Sequence, residues 1–192
     1  MNVRTEYQQL GTGACQKIQR SLARPISICA FNIRTGGNVG MIVRSACILG
    51  CREVITCGRR HYDKRFTCGA EYYTPVRHWE EPLRVNIVCK SPTETEEFLD
   101  YHPDEFFRLC AESGYTPVFL EQGGEDIRTV PWKTIENPLI IVGNESTGIP
   151  KSFMKGARTV SIPQCSVLRS MNVAIAASIA LWEISNHLGD CC

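Results

Sequence analysis

Short apolar runs bounded by glycine and proline alternate along this chain with stretches of helical spacing. "ISICAFNI" (26–33), between Pro25 and the Gly36-Gly37 turn, predicts a strand. "NVGMIVRSACILG" (38–50) puts apolar side chains at 39, 42, 43, 46 and 49, a helical stripe. Asn38 stands there at the N-cap position and Gly50 at the C-terminal stop. "EVITC" (53–57) adds a second strand, and strand–helix–strand within about thirty residues is the βαβ unit of a parallel sheet. "RVNIVCK" (84–90), "YTPVFLE" (115–121), "PLIIVG" (138–143) and "TVSIP" (159–163) predict further strands. "PLIIVG", apolar almost throughout, suits a central buried one. The acidic stretch 93–114 predicts a helix, or two divided at Pro103, ending at Gly114. Residues 4–23 have weak helical periodicity broken by Gly11 and Gly13, which suggests a loosely attached helix. In the last helix, 170–188, Ser178 is the single polar residue between Ala174 and Trp182, so burial on most of its surface is expected. With no repeat, low-complexity block or linker, the pattern is one α/β domain at 25–190 behind a helical extension at 1–24.

Composition narrows the class. At 192 residues the chain suits one compact domain, and 43% hydrophobic with 21% charged residues is ordinary for a globular protein. No apolar run reaches the roughly 18 residues of a membrane span. The N-terminus lacks the apolar centre of a signal peptide. Cytoplasmic or nuclear residence without membrane attachment is the expectation. The eleven cysteines form no C-x-x-C pair and no Cys/His block at zinc spacing, so reduced thiols acting as small hydrophobes are expected, with no metal. The closing Cys191-Cys192 resembles one class of prenylation signal, but a disordered tail is the simpler reading. Net charge is only +1, yet residues 1–60 carry nine Lys/Arg against two Asp/Glu, and residues 91–136 carry three against eleven. "GRRHYDKR" (58–65) concentrates Arg59, Arg60, His61, Lys64 and Arg65 around Tyr62. A basic end of this kind is compatible with a phosphate backbone, and equally with a solvated surface.

Three loops could carry chemistry, because open α/β sheets bind ligands beyond the carboxyl ends of their strands. In "TGGNVGMIVR", a glycine-rich turn delivers Asn38 to a helix start, and Arg44 follows six residues on, projecting from roughly the same side. An ordinary N-cap with a solvent-facing arginine is the plain alternative. In "IVGNESTGIP", Gly143 and Gly148 bracket Asn144-Glu145-Ser146-Thr147, a turn-forming composition. The Glu145 carboxylate beside a hydrophobic strand nevertheless needs a favourable partner, for which Arg44 is the obvious candidate. In "SIPQCSVLRSMNV", Ser170 and Asn172 stand at the first turn of the apolar helix, where unpaired N–H groups and the dipole await a cap. One cap would use either residue but not both. Neither a dinucleotide G-x-G-x-x-G nor a P-loop is present.

Together, N-x-G-x-x-x-R at Asn38–Arg44, G-N-E-x-x-G-I-P at Gly143–Pro150 and I-P-Q-x-x-x-x-R-S-M-N-V at Ile162–Val173 resemble, in order, the three signature motifs of the SpoU/TrmH group of SPOUT RNA methyltransferases. The resemblance spans about 26–188. Asn144, Gln164 and Arg169 look closer to the eukaryotic tRNA guanosine 2′-O-methyltransferases, while Ser170-Met171-Asn172 also occurs in single-domain wobble-ribose enzymes.

The resemblance implies a SPOUT-type α/β fold: a parallel sheet flanked by helices, with a C-terminal trefoil knot. It further implies S-adenosyl-L-methionine bound in the knot and a homodimer with its active site near the subunit interface. The implied cofactor wall comprises Gly143, Asn144, Ile162, Pro163 and Met171, completed by Thr116 through Leu120. The implied reaction is attack by a ribose 2′-hydroxyl on the sulfonium methyl, without metal. Arg44 is the family's catalytic arginine by position. A guanidinium stays protonated, so holding the target phosphate and polarising the hydroxyl suits it better than acting as a base. Asn38, Glu145, Ser170 and Asn172 would orient arginine, cofactor and ribose. Arg34, Arg59, Arg60, Lys64, Arg65 and Arg169 would meet RNA, either tRNA (guanosine 18 or the wobble position) or rRNA. Gln164 and Ser166 depart from the Met and Gly of many relatives. About 25 residues precede the first strand, too few for the separate RNA-binding domain of bacterial relatives. A non-catalytic knotted RNA-binding or assembly factor and a dinucleotide-binding enzyme are the competing classes.

Overall fold

The structure is a computed structural model and describes residues 3–89 and 95–189. Its centre is a six-stranded sheet whose neighbouring strands all pair in parallel. After a single 3-10 turn at Thr5–Tyr7, the chain forms helix α1 (Thr12–Ser21) and strand β1 (Ser27–Phe31), then α2 (Gly36–Ile48) and β2 (Val54–Cys57). A short helix α3 (Lys64–Thr67) and strand β3 (Val76–Trp79) follow, then a hairpin of β4 (Leu83–Cys89) and β5 (Thr95–Tyr101). The remainder is α4 (Pro103–Glu112), β6 (Thr116–Asp126), β7 (Pro138–Val142), α5 (Lys151–Met154), β8 (Arg158–Ser161) and α6 (Val173–Leu188). The sheet order is β3-β2-β1-β7-β6-β8, with β1 and the apolar β7 at its centre.

Strand alternation divides the core into two layers. Ile28 and Ala30 of β1, Val118 of β6 and Ile140 and Val142 of β7 face α2 and α6, joining Ile42, Val43, Ala177, Leu181 and the buried Trp132. Cys29, Phe31, Phe119, Leu139 and Ile141 face the other side, where Phe106 of α4 and Phe153 of α5 pack edge-on against Phe31. Cys29, Cys57 and Cys110 are free thiols in this second layer. Burial pushes all three up, Cys110 to about 12, so they stay protonated and inert.

Several expectations need correction. The segment 93–114 is not one helix: Thr95–Tyr101 pairs antiparallel with β4, and residues 93–94 lie outside the described residues. Leu83 faces Tyr101 and Val85 faces Leu99 in that ladder, and all four pack against the Phe106–Phe153 layer. The helix then begins at Pro103, where a missing N–H is harmless. Strand 84–90 is thus part of a separate hairpin, with Lys90 outside the described residues, and β3 takes the sheet edge unforeseen. Thr35, not Asn38, is the N-cap of α2, whereas Gly50 does follow its end with φ +73°. The last helix starts at Val173 rather than 170, and it is not buried all round: Ile175, Ile179 and Trp182 are exposed. The Cys191-Cys192 pair lies outside the described residues. No described helix is long and apolar enough to cross a membrane.

Candidate active site

The strand order reverses between β1 and β7, and there the loops after their carboxyl ends meet. The backbone N–H groups of Arg34 and Thr35, after β1, reach the Glu145 carboxylate after β7 at 3.2 and 3.4 Å. Asn38, one turn into α2 and buried, donates through Nδ2 to Glu145 Oε1 at 2.7 Å. Its Oδ1 accepts from Asn172 Nδ2 at 3.0 Å. Asn172 caps α6, its Oδ1 accepting from Ala174 N and Ile175 N at 2.9 and 3.3 Å. One side chain therefore caps the helix and also joins the polar chain, which leaves Ser170 free of the capping role. All three motif loops are knitted by this Asn172–Asn38–Glu145 series. Partial burial of Glu145 opposes its ionisation. The bonds from its own N–H, Asn38, Arg34 and Thr35 outweigh that burial and hold the carboxyl below its ordinary value.

Beside this series opens a cleft of about 910 Å³, of a size that suits a cofactor. Leu120, Gly143, Ile162 and Met171 supply apolar or backbone wall, and Glu145, Arg169, Ser170 and Asn172 supply polar groups. Gln164 also lines it, with Pro163 lying between two lining residues. Glycine is required at two positions of this framework, Gly143 in the loop after β7 and Gly40 within α2. A Cβ on Gly143 would lie 2.6 Å from the Ile149 side chain, and one on Gly40 would lie 2.5 Å from the Asp63 carbonyl. The second contact lets the basic 59–66 segment pack onto α2.

Not every expected residue joins the site. Thr116 begins β6 at the amino end of the sheet and donates to the Glu136 carbonyl at 2.7 Å, so it is on the wrong side of the molecule; Leu120, four residues on, is at the cleft. The Asn144 side chain is buried and consumed locally. It donates to the Asn32 carbonyl at 2.7 Å and accepts from Ser146 N and Thr147 N. Asn144 therefore shapes the loop with its side chain while remaining among the residues that line the cleft. Arg44 is not the partner of Glu145. Six residues make about 1.7 helical turns, which leaves Arg44 about 120° round α2 from Asn38. The exposed Arg44 guanidinium instead donates to Cys68 Sγ at 3.2 Å. Among the basic residues, Arg34, Arg60, Lys64 and Arg169 are exposed and Arg59 is half-buried, while Arg65 is clamped by Asp63 at 2.6–3.1 Å. Sequence reasoning missed Glu121, Gln122 and Lys151, which also line the cleft. Glu121 could have been found as the first polar residue after the apolar run of β6.

Residues 91–182 match the model of the SpoU rRNA Methylase family. The mouse tRNA (guanosine(18)-2′-O)-methyltransferase is 23% identical over 176 residues, 89% of this chain and 10% of that protein. The 23S rRNA (uridine(2479)-2′-O)-methyltransferase of Streptomyces viridochromogenes is 26% identical over 155 residues, 77% of this chain and 47% of that one. The crystal structure of an AdoMet-bound rRNA methyltransferase from Sinorhizobium meliloti superposes with a TM-score of 0.67 at 26% identity, covering 86% of this chain and 57% of that chain. The chain thus spans about a tenth to about half the length of these curated relatives. Three motifs meet in one cleft, and in both sequence and fold the chain is similar to the SpoU methyltransferases.

Proposed function

We propose that this chain transfers a methyl group from S-adenosylmethionine to a ribose 2′-hydroxyl in RNA, with tRNA the first substrate class to test. The Asn172–Asn38–Glu145 series carries the reading, because it joins the loops of all three motifs at the mouth of one cleft. The relatives named as tRNA and rRNA 2′-O-methyltransferases support the same reaction class. The cleft residues fit the cofactor. Leu120, Ile162 and Met171 would enclose its apolar parts and the Gly143 backbone its polar ones. When bound, it supplies a methyl on a positively charged sulfur, an activated group that needs no Lewis acid. Asn38, Glu145, Ser170 and Asn172 would orient the reactants, and Arg44 would hold the target phosphate and polarise the attacking hydroxyl. The exposed Arg34, Arg60, Lys64 and Arg169 would track the phosphate backbone, with Arg59 and Arg65 beside them.

The path of the chain after β8 supports a trefoil knot. It leaves the sheet edge at β8, passes the 143–150 loop along the cleft, and returns to α2 through Asn172. A homodimer would cover the exposed Ile175 (55%), Ile179 (38%) and Trp182 (57%) of α6 together with Ile48 (73%) of α2. The two helices pack side by side, Ser178 Oγ donating to Ser45 Oγ at 2.7 Å, so these side chains flank one contact. Arg44 lies one turn before Ile48, at the edge of that face, which suits an active site close to a subunit interface. Trp182→Glu should then convert a dimer to monomer in sedimentation; a monomeric parent protein at micromolar concentration overturns the dimer.

The reaction is tested by incubating the protein with S-adenosylmethionine and either total tRNA or rRNA, then mapping 2′-O-methyl groups. A new methylated ribose in tRNA is the expected result, and one in rRNA alone moves the substrate class. Cofactor binding with no methylation of either RNA would replace the enzyme by a non-catalytic RNA-binding factor.

A further inference from the structure

Glu121 is the acidic side chain at the cleft that none of the three motif loops supplies. It ends the apolar run of β6 and is half-buried. Its Oε1 accepts from Gln122 N at 3.1 Å and its Oε2 from Ile149 N at 3.4 Å. Gly148 makes room for it: φ there is +64°, and a Cβ would stand 2.7 Å from Glu121 Oε2. The second-motif loop is therefore shaped around this carboxylate. Among the described residues no Lys, Arg or His forms an ion pair with it. An ionised carboxylate has about four acceptor sites, of which the two N–H bonds use two. The rest are available on a side chain that lines the cleft.

The two ends of the cleft are chemically different. Glu145, Asn38 and Asn172 mark the end beside β1, whereas Glu121 belongs to β6, on the far side of β7. A methyl donor bound with its reacting carbon at the first end and its nucleoside along the cleft would bring that nucleoside to the second. There the group offering two adjacent hydroxyl donors is the ribose diol. A carboxylate at the end of a neighbouring strand is a general device for binding ribose hydroxyls in α/β proteins. We infer that Glu121 binds the ribose hydroxyls of S-adenosylmethionine and thereby selects the intact nucleoside. This rests on the methyltransferase reading above.

The test is calorimetric titration of S-adenosylhomocysteine and its 2′-deoxy and 3′-deoxy counterparts into the full chain. The unmodified protein should bind the parent compound about tenfold or more tightly than at least one deoxy compound, the scale of a hydrogen bond to a charged group. Glu121→Gln should weaken the parent by about the same factor and flatten the preference among the three. Thermal unfolding of that variant checks that it folds; if it does not, the preference of the unmodified protein decides. Equal binding of all three compounds by the unmodified protein overturns the inference and leaves the methyltransferase reading standing. So does a Glu121→Gln variant within about twofold of the parent protein with its preference intact. Failure of the unmodified protein to bind S-adenosylhomocysteine at all would instead overturn the methyltransferase reading.

Discussion

Two carboxylates sit at opposite ends of the central sheet, and their surroundings differ in kind. At the amino end, buried Glu53 accepts from the Tyr115 hydroxyl and from Arg77 NH1, the latter at 3.2 Å, with Ser27 Oγ donating to the same tyrosine oxygen at 3.4 Å. Glu53 precedes β2 and its partners stand on or next to β1, β3 and β6, closing the carboxylate with side chains. At the carboxyl end, Glu145 is held by two loop N–H groups and Asn38, beside an open cleft. A shielded charge is thus no sign of function by itself. Glu53 locks strands together, whereas Glu145 is fixed by loops while a cleft remains next to it.

Substitutions can break or sharpen that contrast. The largest effect is expected from Arg44→Ala, which should lower methyl transfer about a hundredfold or more, the scale of losing one preorganised donor. S-adenosylhomocysteine affinity should stay nearly unchanged in titration; transfer within a few-fold of the parent removes Arg44 from the reaction. Asn172→Ala takes away both the α6 cap and the bond to Asn38. It should cost about 1–2 kcal/mol in denaturant unfolding and also slow transfer. Ser170→Ala, with no capping role, should slow transfer at unchanged stability. At the other end, Glu53→Gln should destabilise by about 1–3 kcal/mol, leaving cofactor affinity intact. A lost affinity there would erase the distinction between the two ends.

The smallest effect concerns pH. The folded protein holds the Glu145 carboxyl below its ordinary value, so it binds fewer protons there than the unfolded chain does. The stability this contributes is fully present above the ordinary glutamate range and is lost as pH falls through the depressed value. The stability difference between the parent and Glu145→Gln should therefore be flat through neutral pH and shrink only in acid. A difference that changes between pH 6 and 8 would mean the carboxyl is not held in its ionised form.

Much of this contrast was legible along the chain, and its gaps have physical causes. Asn38, Glu145 and Asn172 could be singled out because each polar residue interrupts a strand end or helix start that local pattern defines. Their mutual hydrogen bonds could not be read, and pairing Glu145 with Arg44 failed on helix rotation. The 95–101 strand was misread because acidic residues with scattered apolar ones satisfy either period. What settled it was the partner β4 and the aromatic layer beneath both. Thr116 was misplaced for a related reason: a strand's sequence does not say which end faces the cleft until its parallel neighbours are known.

By itself, then, the sequence determined the strand–helix alternation, the central apolar strands and the three polar loops, since these follow from side-chain period and turn chemistry within a few residues. Tertiary structure decided which loops meet, which carboxylate is closed and which lies open, and where Glu121 stands. Those depend on strand order and on contacts between residues more than a hundred positions apart, such as Asn38 with Asn172. The α6 helix joins both kinds. Its apolar composition was plain in the chain, but only packing against α2 revealed that Ile175, Ile179 and Trp182 remain uncovered.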